Sequence, residues 1–327
     1  MKSRFGVLSA FLFGGCLAPT IALGQVNLGG DIGVYPSRPI RMVVPQAPGG
    51  NTDFIGRQAS QYISQALNGN VVVDNRPGAG GNLGNEIVAS ATPDGYTLLT
   101  ASPAFVTSPA LYKKLAYDAI KDFAPIGMTA LVPQVLAVHP SVPAKNVQEL
   151  IQLARDKPGG LNYAAPGAGS GPHVTAARFV SMANVKIEHI AYKGTGPALI
   201  DLLAGRVQMQ FGGLPAMIPH IRSGRIRALG ISTARRSAAL PELPSIAEQG
   251  VTGFDTAGWV GMAAPAGTPR AIVALLSQHL EAFKKDAAAQ KRFASRGAEF
   301  TDSSPEKFVQ FIKREIPEWK KVLKPVR

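Results

Sequence analysis

Short runs of β-branched and apolar residues alternate along this chain with longer stretches of helical period, and several joins between them are rich in glycine. Parallel strands cannot be joined by a tight turn, so a chain with this alternation is committed to a mostly parallel sheet crossed by helices. Strands are predicted over 40–44, 71–74, 96–100, 135–138, 187–191, 207–211 and 226–232. Helices are predicted over 53–67, 82–91, 146–155, 173–182, 196–203 and 216–223. Two later helices carry one-sided apolar stripes: Ile272, Leu275, Leu276, Leu280 and Phe283 within 270–284, and Phe308, Phe311, Ile312, Ile316, Trp319 and Val322 within 305–323.

With 327 residues, 46% of them hydrophobic, the chain fits one large or two medium domains. The Gly- and Pro-rich passage 258–269 reads as the return from a second lobe to the first. The expected division is lobe 1 over 36–134 plus 250–327 and lobe 2 over 135–249, with crossings near 131–138 and 232–258 acting as the hinge.

The first residues predict export. Lys2 and Arg4 precede an apolar run from Phe5 to Leu23, and Ala22-Leu23-Gly24 offers the small residues a signal peptidase needs, so residues 1–24 are expected to be removed. The run is broken by Gly14, Gly15 and Pro19 and falls short of the roughly 20 residues of a spanning helix. The single cysteine, Cys16, lies within it, and Phe13 stands where lipid attachment favours an aliphatic residue, so cleavage is preferred to a lipid anchor. A cysteine-free mature chain has no disulfides and no thiol chemistry. The expected address is the periplasm.

The formal charge of +13 becomes +11 once Lys2 and Arg4 leave with the leader. Its basic residues are scattered, with only pairs such as Lys113-Lys114 and Arg235-Arg236, so a field that draws in small anions fits better than a nucleic-acid surface.

Three glycine-rich joins carry the candidate chemistry. The first, 45–53, runs from a strand through Gly49 and Gly50 into Asn51, Thr52 and Asp53. Glycine lets a ligand approach the backbone, and a helix N-terminus offers unpaired N–H groups and the positive end of the helix dipole, which together suit a carboxylate. Asp53, negatively charged itself, is expected to close the helix rather than to bind, with Gly49 shaping the turn. The second join, 75–84, has Leu83 where a dinucleotide fingerprint needs its third glycine, and is read as a structural loop with Asn82 capping a helix. The third, 163–173, repeats the first in the other lobe and ends in Ser170 and His173. No Gly-x-Ser-x-Gly frame is centred on Ser170 and no local acid orients the histidine, so catalysis is not expected. The five histidines show no metal-site spacing and no phosphate loop occurs, so no metal and no cofactor are expected.

These loops, in order, resemble the Bug-type extracytoplasmic receptors of tripartite tricarboxylate transport systems. The resemblance rests on 43–53, 75–82, Thr92-Pro93-Asp94-Gly95-Tyr96-Thr97-Leu98-Leu99, Tyr192-Lys193-Gly194 with Pro197-Ala198-Leu199 and Asp201-Leu202-Leu203, and 264–269. It implies a two-lobed α/β periplasmic binding fold of type II, each lobe a mixed, mostly parallel sheet flanked by helices, with a small organic acid in the cleft. It also implies a two-component membrane permease as partner for a monomeric receptor. The ligand shell it implies is Ala47, Gly50, Asn51, Thr52, Ser102, Gly169, Ser170 and His173. Gln46 stands where many relatives carry an aromatic residue and Gly212-Gly213 where many carry a polar pair. The alternatives from other classes are a sensor signalling to a membrane kinase and a serine hydrolase using Ser170.

Overall fold

The structure, a computed structural model, describes residues 26–27, 34–302 and 304–323. The predicted leader 1–24, its cleavage point and Cys16 lie outside the described residues.

A short ladder pairs β1 (Val26–Asn27) with β2 (Val34–Tyr35) ahead of the main fold. Three strand-helix units follow: β3 (Ile40–Val44) and α1 (Asn51–Ala66), β4 (Val71–Asn75) and α2 (Asn82–Ala89), β5 (Thr97–Ala101) and α3 (Ala104–Leu111). The strands lie parallel in the order β4-β3-β5. The long strand β6 (Phe123–Val138) and α4 (Val147–Asp156) lead into a second set of three. These are β7 (Asn162–Pro166) and α5 (Gly171–Ala183), β8 (Glu188–Tyr192) and α6 (Thr195–Leu203), β9 (Met209–Gly213) and α7 (Leu214–Arg222). They repeat the first arrangement, parallel in the order β8-β7-β9. β10 (Arg227–Ile231), β11 (Ala257–Pro265), α8 (Arg270–Lys285), α9 (Ala287–Ser295), β12 (Glu299–Phe300) and α10 (Pro305–Val322) complete the chain.

Both sheets are covered on both faces, as parallel sheets require. The two-residue period of the strands sorts their side chains. On β3, Ile40 and Met42 join Ile55, Leu98, Ile272 and Leu276 in one core, while Val43 joins Leu99, Phe105, Phe308 and Ile312 in the core of the opposite face. On the second half of β6, Leu136 and Val138 pack with Phe179 and Phe211, and Val135 and Ala137 with Leu199 and Met217. Four apolar layers on two sheets make two lobes.

β6 belongs to both sheets. Up to Pro133 it pairs with β11, and from Gln134 onward with β9 and β10. Ser232, fully buried, ties the crossing segments together. Its N–H donates to Gln134 O at 2.8 Å, its Oγ donates to Thr256 O at 2.6 Å and accepts from Gln134 N at 2.9 Å, and Thr256 N returns a bond to Ser232 O at 2.9 Å.

Beyond the short strands β1, β2 and β12 and the helix α9, none of which was predicted, the structure departs from the sequence reading in three elements. Residues 104–111 form a helix that has no apolar stripe to reveal it, since every residue but Pro109 is buried. β6 begins at Phe123, twelve residues before the predicted strand, across Pro125, Gly127 and Pro133. The Gly- and Pro-rich passage read as the return between lobes, with no strand predicted in it, is a strand over its first part, β11, with Gly261 so close to Phe308 that a Cβ there would lie 2.4 Å from the ring.

Candidate functional site

Every loop that follows a parallel strand opens on the same side of its sheet, so the N-termini of α1, α2 and α3 face those of α5, α6 and α7 across the junction of the lobes. The loops touch in a fixed pattern. The loop after β3 meets the loop after β8: Ala47 N donates to Lys193 O at 3.3 Å, and a Cβ on Gly196 would lie 2.3 Å from Pro48 O. The loop after β4 meets the loop after β7, where a Cβ on Gly80 would lie 2.4 Å from Ala168 O. Helix α3 meets that same loop through Thr107, whose Oγ1 donates to Gly169 O at 2.6 Å. Gly213, at the end of β9, has room only because it lacks a side chain, since a Cβ would come within 2.8 Å of Asn51 Cγ. Gly80 and Gly196 bring backbone against backbone, which any side chain would hold apart.

The first loop is built by Asp53. Its Oδ2 accepts from Gly49 N at 3.1 Å, its Oδ1 from Asn75 Nδ2 at 2.9 Å, and Arg57 Nε reaches both oxygens. The carboxylate is thus neutralised within the loop and leaves the first turn of α1 to other ligands. Gly50 is the N-cap of α1 and no side chain caps the helix. Thr52 Oγ1 donates to Gln46 Oε1 at 3.2 Å. Asn51 Oδ1 is buried with no hydrogen-bond partner among the described residues, and so is Thr195 Oγ1 on the facing helix. Those residues lie at the lobe junction, where a Cβ on Gly50 would be 3.2 Å from Thr195 Cβ. Buried polar atoms of this kind ordinarily find partners.

The third loop is organised by Ser170, which is fully buried. Its Oγ donates to Pro166 O at 3.1 Å and accepts from His173 N at 3.4 Å, so the hydroxyl caps α5. Ring Nδ1 of His173 accepts from Gly169 N at 3.3 Å, and the ring packs on His189 with centroids 4.5 Å apart. Burial first, and the neighbouring His189 second, push the His173 imidazole down to about 4, so it is neutral at ordinary pH. Ser102, also buried, follows β5 beside Pro103, and a Cβ on Gly171 of the other lobe would meet Pro103 at 3.2 Å.

The tertiary structure thus brings Ala47 and Gly50 of one lobe against residues 193–196 of the other and Asn51 against Gly213, and sets Pro103, which follows Ser102, against Gly171 at the end of the loop carrying Gly169 and Ser170. Thr195 was missed by sequence reasoning although Gly194 ahead of it repeats the strand-glycine-helix signal. Asn82 does not cap α2; Gly81 holds that position, and Asn82 Oδ1 accepts from Tyr117 OH at 2.8 Å. Positive φ at Gly80 and Gly81 already turns the chain into the helix, which frees the asparagine for the core.

Residues 55–327 match the sequence family described as Tripartite tricarboxylate transporter family receptor. The solved periplasmic binding protein BugD is 34% identical, with a TM-score of 0.87 over 89% of this chain and 100% of BugD. Rpa4515 of R. palustris, solved with adipate, is 36% identical with a TM-score of 0.87 over 89% of this chain and 100% of its own. MatC from Rhodopseudomonas palustris, solved with bound malate, is 30% identical with a TM-score of 0.84 over 88% of this chain and 99% of its own.

Proposed function

The chain belongs to the tripartite tricarboxylate transporter receptor family, and from that premise we propose that it captures a small organic acid between its lobes and delivers it to a membrane permease of the tripartite type. The observation that carries the reading is the junction itself. Helix N-termini from both lobes converge there on glycine-lined contacts, and Asn51 and Thr195 hold buried polar atoms left unpaired among the described residues. A carboxylate placed between such helix ends gains N–H donors and favourable dipoles on both sides, which links capture to closure of the lobes. The adipate and malate bound to two structural neighbours support the ligand class.

In this reading Ala47, Gly50, Asn51 and Thr52 bind from the first lobe, with Ser102 beside them, and Gly169, Ser170, His173 and Thr195 from the second. Asp53 and Gly49 shape the first loop. Ser170 contributes as the cap that aims the α5 N-terminus. His173 contributes as a neutral imidazole. The reading is of a receptor and not of an enzyme, and the geometry at Ser170 supports it: the hydroxyl is bonded to Pro166 O and to the backbone of His173, and the His173 ring faces Gly169 N, so this nucleophile and base are not paired. It works in the periplasm as a monomer after removal of residues 1–24, and no helix among the described residues is long and apolar enough to cross a membrane.

A thermal-shift series of residues 25–327 against mono-, di- and tricarboxylates tests the ligand class. At least one acid is expected to raise the melting temperature, because a ligand bound only by the folded state stabilises it by mass action. A shift with neutral compounds and with no acid refutes the reading.

A further inference from the structure

A cavity of about 250 Å³ lies where α5 of the second lobe, α10 of the first and the crossing strand β11 meet. It is smaller than the roughly 300–1,000 Å³ of a drug-sized site, so its occupant is small. Trp259, Phe311 and Trp319 line it, and these include both tryptophans of the chain. The rings of Trp259 and Phe311 stand at 83° with centroids 5.3 Å apart, as two walls of a box.

The chain carries a formal charge of +13, yet the charged residues of this lining are two acids, Asp255 and Glu315, and one base, Arg178. Two of the three are engaged with backbone. Arg178 Nη1 donates to Asp255 O at 3.1 Å, and Asp255 Oδ1 accepts from Ala234 N at 2.9 Å. Glu315 stands four residues from Phe311 and four from Trp319 on α10, so the three share one helix face. Its ion pair among the described residues is with the exposed Arg314 at 3.4 Å, longer than the about 2.7–2.9 Å of a charge-assisted bond. Behind the lining, the buried Gln134 donates through Nε2 to Thr175 Oγ1 at 2.9 Å, and its Oε1 has no hydrogen-bond partner among the described residues. The unspent groups are therefore acceptors.

Ring faces carry the negative part of the aromatic quadrupole and attract a cation within about 6 Å of the centroid. An anion here would meet two carboxylates, and a neutral apolar ligand would cover Glu315 without pairing it. A cation satisfies the rings and the carboxylate together. The molecule already shows that combination from outside the cavity, where the Arg314 guanidinium stands 5.4 Å from the Phe311 centroid while touching Glu315. We propose that this cavity is a second binding site, for a small organic ammonium compound boxed by Trp259, Phe311 and Trp319 and paired with Glu315. The inference does not depend on the carboxylate-capture reading.

The test is tryptophan fluorescence of residues 25–327 titrated with choline and with 3,3-dimethylbutan-1-ol, its uncharged isostere. Both tryptophans line the cavity, so occupancy registers in the emission. Choline is expected to give a saturable change, and the isostere to bind at least about tenfold more weakly. Glu315→Gln keeps the shape, removes the charge and is expected to weaken choline at least about fivefold with no effect on the isostere. Arg314→Gln removes the competing cation and is expected to tighten choline. Unchanged melting temperatures are expected to show that both variants are folded. No saturable change, equal binding of the two compounds, or a choline affinity that Glu315→Gln does not lower overturns the assignment and leaves carboxylate capture standing.

Discussion

Gly196→Ala separates closure from folding. Gly196 is the second residue of α6, with backbone angles that alanine adopts freely, so the substitution within its own lobe is neutral or gains up to about 1 kcal/mol of helix propensity. Across the junction it is a clash. The new Cβ would lie 2.3 Å from Pro48 O, which is backbone and cannot rotate away. Ordinary contact needs more than 3.4 Å, so the loops must part by roughly 1 Å, and the Ala47 N to Lys193 O bond, already 3.3 Å, is lost. Overpacking of this kind costs about 1–3 kcal/mol, here charged to the closed arrangement alone. If capture requires closure, affinity falls by the same free energy, about 5- to 150-fold. The assay is paired: thermal unfolding without acid, and calorimetric titration with whichever acid the wild type binds. The melting temperature is expected to hold or rise while affinity drops. An unchanged affinity with a stable variant would show that the Pro48 to Gly196 contact has no part in binding.

Other predictions follow from single contacts. Ser232→Ala leaves Gln134 N and Thr256 O without the hydroxyl that joins the crossing segments, and is expected to lower stability by about 2 kcal/mol in urea unfolding, with no change in the m-value. His173 has a folded value depressed to about 4 against an ordinary 6.5, so stability is full above pH 6.5 and falls as pH drops toward 4, by at most about 3 kcal/mol. His173→Gln is expected to flatten that slope, and a slope that persists in the variant assigns it to other groups. Gly213→Ala would push Asn51 away from the junction and is expected to weaken acid binding more than it lowers the melting temperature. N-terminal sequencing of the exported protein is expected to begin at Gln25.

Much of this molecule was legible before any coordinates. The alternation of strand and helix named the fold class because parallel strands need crossover helices, and the one-sided stripes of α8 and α10 announced buried faces. The strand-glycine-helix joins located the loops at the sheet ends, since glycine and exposed N–H groups are local properties of a sequence. What escaped were elements whose pattern is erased by complete burial or masked by composition: α3, hydrophobic all round, and the strand halves of β6 and β11 that run through glycine and proline. A long two-stranded ladder supplies from its partners the order that local propensity withholds.

The roles within the loops were likewise decided only by tertiary contact. Asp53 was read as closing the helix, from its capping chemistry and its charge, but Gly50 is the N-cap and Asp53 instead folds the loop, neutralised by Gly49, Asn75 and Arg57 up to 22 positions away. The hydroxyl of Ser170 points to Pro166, Asn82 serves Tyr117, and Thr195 comes to face Gly50 only when the second lobe is laid against the first. Sequence specifies which segments can offer helix ends to an anion. Which of those ends meet, which side chains are already partnered, and how closely the backbones approach are set by packing across the two lobes, because hydrogen-bond partners and steric fit are properties of distance in space and not of distance along the chain.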